Sequence, residues 1–242
     1  MEIIDEIGIL TLKNPPQNYL PEPEFISIRE VKEWVEKNQL KGLIITGTGR
    51  HFSGGAEQNA LFEMAKAGDE MEEQMSRGKE LLDFFQDLRI PVVAAIQGVC
   101  FGGGLEIALA CHIRVCSENA LFAFPETNLG LMPGLGGTQR LGERFSFQDS
   151  MKMILGGDMI NAEEAFQLKL ADTIVKNDDP FSYSLNFLKR ITEGRQLKII
   201  NNVMQALQNA KRLPVEEAMR EETRMFCDLA RIESERRKKE NE

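Results

Sequence analysis

The sequence is short of positive charge. Lysine and arginine number 29 against 38 aspartates and glutamates, giving a net charge of −9 at pH 7 over 242 residues. That balance argues against a nucleic-acid binder, because no basic face offsets it. The one basic cluster, Arg236-Arg237-Lys238-Lys239, reads as the solvated end of a helix. Cysteine is scarce. Cys100, Cys111, Cys116 and Cys227 show no metal-ligand spacing and read as reduced, small apolar residues in a reducing compartment. No metal site is therefore expected. The N-terminus, MEIIDEIG, lacks the basic and long apolar regions of a signal peptide, which points to the cytoplasm. The most apolar window, residues 90–111, holds Gln97, Glu106 and three adjacent glycines, which argues against a membrane span. Tandem repeats and low-complexity segments are absent. What is present is ordinary for a globular enzyme: 42% apolar and 28% charged residues, enough for one domain, or one with an appendage.

Strands and helices alternate to about residue 175, which predicts an α/β fold. Residues 2–12 suggest a strand pair with a turn near Glu6-Ile7-Gly8. Residues 13–24 carry four prolines and form a loop. Residues 25–38 form an amphipathic helix with Ile28, Val31, Trp34 and Val35 on one face. A strand follows in LKGLIITGTG. Residues 58–88 are predicted helical, with Leu61, Met64, Met71 and Met75 at helical spacing. Such a methionine stripe fits the core, or a pocket that needs flexible walls. From Pro180 onward only helical patterns appear, with Val215, Ala218, Met219, Phe226 and Leu229 in one apolar stripe.

The centre of the chain is residues 90–140. Val92-Val93-Ala94-Ala95-Ile96 reads as a strand buried on both faces. Gly102, Gly103 and Gly104 follow, then the apolar helix LEIALAC. A glycine turn at a helix N-terminus leaves backbone N–H groups free for an anion or a developing negative charge. Two carboxylates follow, Glu106 within the apolar helix and Glu126 after Phe122-Ala123-Phe124-Pro125. Buried carboxylates have raised pKa values, and neighbouring ones are pushed apart, which suits acid/base work on one substrate. A structural carboxylate at a helix start is the plainer reading of Glu106. His51 reads as a surface loop residue and His112 as structural.

The order GGGLE, PE and PGLGGTQRL, with FSGGAEQ upstream (52–58) and GDMINAEEAFQLKLADTIV downstream (157–175), resembles the crotonase superfamily, and within it the enoyl-CoA hydratases. The resemblance covers roughly residues 7–230. It implies a repeated ββα spiral over residues 1–178 and a C-terminal helical trimerisation region over 179–242, shortened relative to the family. It implies hydration of an enoyl-CoA thioester. The backbone N–H groups of Ala56 and Gly103 would stabilise the carbonyl oxygen, Glu106 would activate water and Glu126 would handle the proton at Cα. Gln58 and Gly134 are the further substrate-binding positions it suggests. No cofactor is implied beyond the CoA of the substrate itself. A homotrimer or dimer of trimers is expected, with neither nucleic acid nor membrane as partner. Other reactions of the fold remain open: double-bond isomerisation, dienoyl hydration, dehydration of a carrier-bound β-hydroxyacyl group. So does a CoA-binding subunit without turnover. Isomerase relatives commonly keep only the second glutamate.

Several positions depart from the family. Asn14 and Pro16 stand where arginine and lysine are usual, Asn59 replaces a lysine, and Lys169 replaces a turn glycine. His112 stands where aspartate is usual. The family's last helix, which brings a lysine and an aromatic near the adenine, has no counterpart in the sequence. A weaker grip on the CoA 3′-phosphate is expected. Arg50, Lys66 or a neighbouring subunit's basic tail would compensate, or an acyl carrier protein would deliver the substrate.

Overall fold

A computed structural model of the chain describes residues 1–66, 68–176 and 179–240. Among the described residues nine strands form two sheets. The larger sheet contains β1 (Glu2–Ile4), β2 (Ile7–Leu12), β3 (Gly42–Gly47), β4 (Val92–Ile96), β6 (Ile113–Ser117) and β9 (Thr173–Val175), in the order β1-β2-β3-β4-β6-β9. All its pairings are parallel except β1 with β2. The smaller sheet orders β5 (Val99–Phe101), β7 (Leu121–Ala123) and β8 (Ile160–Asn161) as β5-β7-β8. The chain therefore passes from the large sheet to the small one and out into a helix, then returns. That is the expected spiral of ββα units.

Among the described residues there are also ten α-helices. They are α1 (Ile28–Lys37), α2 (Gln58–Ala65), α3 (Asp69–Asp87), α4 (Gly103–Ala110), α5 (Gly137–Arg144), α6 (Phe147–Gly156), α7 (Ala162–Gln167), α8 (Pro180–Thr192), α9 (Leu197–Arg212) and α10 (Val215–Glu240). The β-branched run of β4 decides where the core sits. Val92, Ala94 and Ile96 enter the main core, while Val93 and Ala95 enter a second one with Ile44, Val115 and Leu188 of α8. A strand alternates its side chains between faces, so a strand apolar at every position must be covered on both. In α1, Val31 is buried while Ile28, Trp34 and Val35 pack on the main core, as the periodicity predicts.

Several expectations shift. The first turn falls at Asp5 and Glu6, both at positive φ, and Ile7 is already in a buried strand. The helical stretch over 58–88 is two helices: Glu57 caps α2 and Gly68, at φ 61°, opens α3. Ala67, between them, lies outside the described residues. Leu61, Met64, Met71 and Met75 are all half-buried, and Met75 packs against the main core. The strand β5 intervenes between β4 and the glycine turn. Lys169 adopts φ 61°, the left-handed conformation that glycine serves in the family. The expected boundary at 178/179 falls next to residues 177 and 178, which also lie outside the described residues. Beyond it, α8 packs on the large sheet and α9 lays Ile200 into the main core. Helix α10 packs on α9 with Ala218 and Leu229 of its stripe half-buried, but among the described residues the rest of the stripe stays open: Val215 is 74% and Phe226 70% exposed.

Candidate active site

The glycine turn is built for a close approach. Gly102 has φ 49°, and a Cβ there would lie 2.9 Å from Glu126 Oε1. At Gly55, φ 87°, a Cβ would lie 3.2 Å from the Gly103 nitrogen, and one at Gly103 would be 3.9 Å from the Ala56 nitrogen. Two loops thus bring the Ala56 and Gly103 N–H groups side by side. Among the described residues neither has a hydrogen-bond partner. Ala56 is exposed and Gly103 buried, so one flank of the pair is open to a ligand.

A polar network holds the first loop. Asn18 is 1% exposed and sits at φ 51°. Its Nδ2 donates to the carbonyls of Thr48 at 2.8 Å and His51 at 2.7 Å. Ser53 Oγ donates to Asn18 O at 2.7 Å and accepts from the Gly55 N–H at 3.1 Å. His51 differs from the surface residue expected: it is half-buried, and its Nδ1 accepts from the Val99 N–H at 3.1 Å. That bond ties the loop to β5. His112 is structural, as read. Its Nδ1 accepts from the Val92 N–H, and burial pushes its pKa down to about 4.

Glu106 is only 2% exposed. It projects from the first turn of α4, and its Oε1 accepts from the N–H groups of Leu135 at 2.6 Å and Gly137 at 2.8 Å. Burial raises its pKa, outweighing the downward pull of the Gly137 and Leu135 N–H groups, the Arg140 guanidinium and the Gly134 N–H. The loop 134–137 is itself held by Arg140. That side chain is 4% exposed and donates to Leu135 O at 2.8 Å, Gln86 Oε1 at 2.9 Å and Asp83 Oδ1 at 2.5 Å. One arginine therefore joins α3 to the loop that grips the carboxylate.

Glu126 lies in a short 3-10 turn, Pro125–Leu129, which Thr127 anchors by donating from Oγ1 to Ile154 O at 3.0 Å. The residue is half-buried, but its Oε2 is sealed from solvent without a partner. Burial, with a smaller push from Glu106, raises its pKa to about 7. The two carboxylates thus differ in kind. One is clasped by N–H donors; the other faces inward with an unused oxygen.

The structure gathers Ala56, Gly103, Glu106, Gly134 and Glu126 around one place. Gln58 is exposed at the start of α2, and none of its side-chain atoms bonds to the group. Reading motifs alone missed Arg140, Leu135 and Gly137 as the holders of Glu106. Their signal was the block PGLGGTQRL itself, where glycine at Gly136 serves both φ 96° and the room that Arg140 needs. Among the described residues no three histidine, cysteine, aspartate or glutamate side chains cluster as metal ligands. Cys100, Cys111 and Cys116 are free and buried. No helix of the described residues is long and apolar enough to cross a membrane.

Comparison with known proteins meets this geometry. The chain is 36% identical over 193 residues to the peroxisomal fatty acid beta-oxidation multifunctional protein of Arabidopsis thaliana, covering 79% of this chain and 27% of that one. It thus spans about a quarter of the plant multifunctional proteins it matches. It is 35% identical over 173 residues to a probable enoyl-CoA hydratase of Bacillus subtilis, covering 71% of this chain and 67% of that one. Among solved structures, it superposes on an enoyl-CoA hydratase subunit I of Geobacillus kaustophilus with a TM-score of 0.80 at 30% identity, covering 94% of this chain and 88% of the other. It also superposes on Pseudomonas aeruginosa DspI with a TM-score of 0.84 at 30% identity, covering 94% and 87%. The family model for enoyl-CoA hydratase/isomerase matches residues 2–240, and the chain belongs to that family.

Proposed function

We propose that the protein is an enoyl-CoA hydratase, adding water syn across the double bond of a trans-2-enoyl-CoA to give a 3-hydroxyacyl-CoA. The observation that carries this reading is the contrast between the paired carboxylates. Glu106 has its Oε1 held by two N–H groups, which fixes where the carboxylate points. Glu126, with its pKa raised to about 7, is suited to carry a proton at neutral pH. The thioester oxygen sits on the Ala56 and Gly103 N–H groups. Glu106 takes a proton from water as the oxygen bonds Cβ. The π pair moves toward the carbonyl, whose growing negative charge the two N–H groups stabilise. One such donor is typically worth ~10²–10³ in rate. Glu126 then gives its proton to Cα, and the pair has exchanged one proton for another. Each acid/base group contributes ~10²–10⁴.

The test is hydration of crotonyl-CoA, read as loss of the conjugated thioester absorbance. Glu106→Gln and Glu126→Gln should each lower kcat by ~10²-fold or more, with smaller effects on binding. Near-normal hydration by Glu106→Gln would overturn the assignment and favour double-bond isomerisation. CoA is the proposed carrier and a homotrimer or dimer of trimers the proposed assembly. A carrier-protein thioester is favoured by one observation: Asn14 is committed to its own loop through Tyr19 O, and Lys66 to Glu63. Comparing kcat/KM for the CoA, 3′-dephospho-CoA and pantetheine thioesters decides between them. A loss of several hundredfold without the 3′-phosphate would show a strong CoA site.

A further inference from the structure

The two N–H donors of the site are aimed by different means. A trans peptide is planar, with its C=O and N–H pointing opposite ways, so holding the carbonyl oxygen aims the hydrogen. The Gly102 carbonyl accepts from the Glu106 N–H at 2.9 Å, the first bond of α4. A helix buried at every position therefore aims the Gly103 donor. The Ala56 donor lies in a loop, before α2 begins. The residue ahead of it is Gly55, at φ 87°. Glycine meets that dihedral, but it also leaves the next peptide free to turn.

Ser53 takes that freedom away. The residue is fully buried, and its Oγ stands between two backbone groups: it donates to Asn18 O at 2.7 Å and accepts from the Gly55 N–H at 3.1 Å. On the other side of Gly55, its carbonyl accepts from the Leu20 N–H at 2.8 Å. Gly55 is thus held at both ends, and both holds lead back to residues 18–20. The Asn18 amide fastens that stretch to the carbonyls of Thr48 and His51.

The same serine sets the spacing between the donors. Its carbonyl accepts from the Phe101 N–H at 3.0 Å, and a Cβ added at Gly104 would lie 2.7 Å from Ser53 Cβ. Ser53 therefore rests on the turn that carries Gly103 while it holds the loop that carries Ala56. The Gly102 N–H continues the chain of bonds to Ala123 O at 3.0 Å, on the strand that leads to Glu126.

We infer that Ser53 is a positioning residue: its hydroxyl fixes the Gly55–Ala56 peptide so that the Ala56 N–H meets the thioester oxygen together with the Gly103 N–H. Without the hydroxyl, the Gly55 N–H and Asn18 O lose their partner, and one donor of the two loses its aim. The turnover effect rests on the hydratase reading; the aim of the donors rests on the two turns alone.

The test separates the two. 4-Dimethylaminocinnamoyl-CoA absorbs at longer wavelength as its thioester carbonyl is polarised, and its conjugation resists hydration. Bound to the wild type it should redden. Ser53→Ala should lose about half of that red shift, because one of two donors is misaimed. It should also lower kcat for crotonyl-CoA by ~10-fold or more while KM stays within about threefold. Ser184→Ala is the control. It deletes a hydroxyl that is equally buried but bonded to Pro180 O in α8, and it should move neither reading. Should Ser53→Ala fail to fold, Ser53→Cys, whose thiol fills the same space with a weaker acceptor, should give a partial loss of both readings. Full red shift and full kcat in the Ser53 variants overturn the inference. So do equal losses in Ser184→Ala, which would reduce Ser53 to a general contribution to stability, and a wild type that binds the thioester without reddening it. A wild type that reddens the thioester but does not hydrate crotonyl-CoA overturns the hydratase reading alone, and loss of the red shift in Ser53→Ala then still supports the role of Ser53.

Discussion

Replacing Glu126 with glutamine should make the protein more stable while removing its activity, and the gain should depend on pH. An unfolded glutamate titrates near 4.5, whereas Glu126 in the folded protein titrates near 7. The folded state therefore holds this proton more tightly. Between those two values the native state binds more protons than the unfolded chain, so stability falls as pH rises through the window. The penalty is complete above about pH 7 and absent below about pH 4.5. A gap of about 2.5 units at 1.36 kcal/mol each sets a ceiling of ~3.4 kcal/mol. The residue is half-buried, so solvent screening reduces this to about 2 kcal/mol. Glutamine keeps the shape and stays neutral, and Oε2 has no partner to lose. With an unfolding entropy of ~2.1 cal/mol/K per residue, 2 kcal/mol is a rise of about 4 °C in Tm. Calorimetry at pH 8 and pH 5, at one protein concentration, should show that rise at pH 8 and well under half of it at pH 5. Equal gains at both pH values, or no gain at pH 8, would refute the account of Glu126 as a carboxyl held protonated by burial. The same variant should lose ~10²-fold or more in hydration, a trade of stability for function.

Three further outcomes follow from the site. The carboxylate pair must hold one proton in both directions of the reaction, so kcat/KM for hydration and for dehydration should share one bell-shaped pH profile, its alkaline limb near pH 7 where that proton leaves; a flat profile to pH 9 would sink this. Arg140→Met should lower kcat ~10-fold or more and move the acid limb upward, because Glu106 loses both the nearby cation and the aim of its N–H donors; Arg140→Lys should recover part of it, and an unmoved acid limb would assign Arg140 to stability alone. The exposed stripe of Val215, Met219 and Phe226 should be buried between copies, so Met219→Glu with Phe226→Glu should shift the light-scattering mass from an oligomer toward a monomer; a wild type that is monomeric at micromolar concentration removes the idea.

Some of this protein is determined by its sequence alone. The unbroken run Val92–Ile96 requires cover on both faces, because a strand alternates its side chains; the two cores meet that need. The 3.6-residue spacing of Ile28, Val31 and Trp34 settles α1 in the same way. Motif order settled the family and its ββα spiral, since Gly102 and Gly55 stand where only a glycine tolerates both the dihedral and the neighbouring group. The tertiary structure decided the rest. Local pattern could not break the helix at Gly68, because residues 58–88 are apolar at helical spacing on both sides of it. Nor could it tell which methionine of the stripe packs on the main core, which is Met75. Burial is set by what lies opposite, and opposite Met75 lies Gly134, fifty-nine residues away in the chain. The difference between the two glutamates has the same origin. Both sit in apolar segments, yet one meets the N–H groups of Leu135 and Gly137 and the other meets none with Oε2. Where a carboxylate points depends on the donors that reach it, and those donors come from a distant loop that only the folded chain brings within 3 Å.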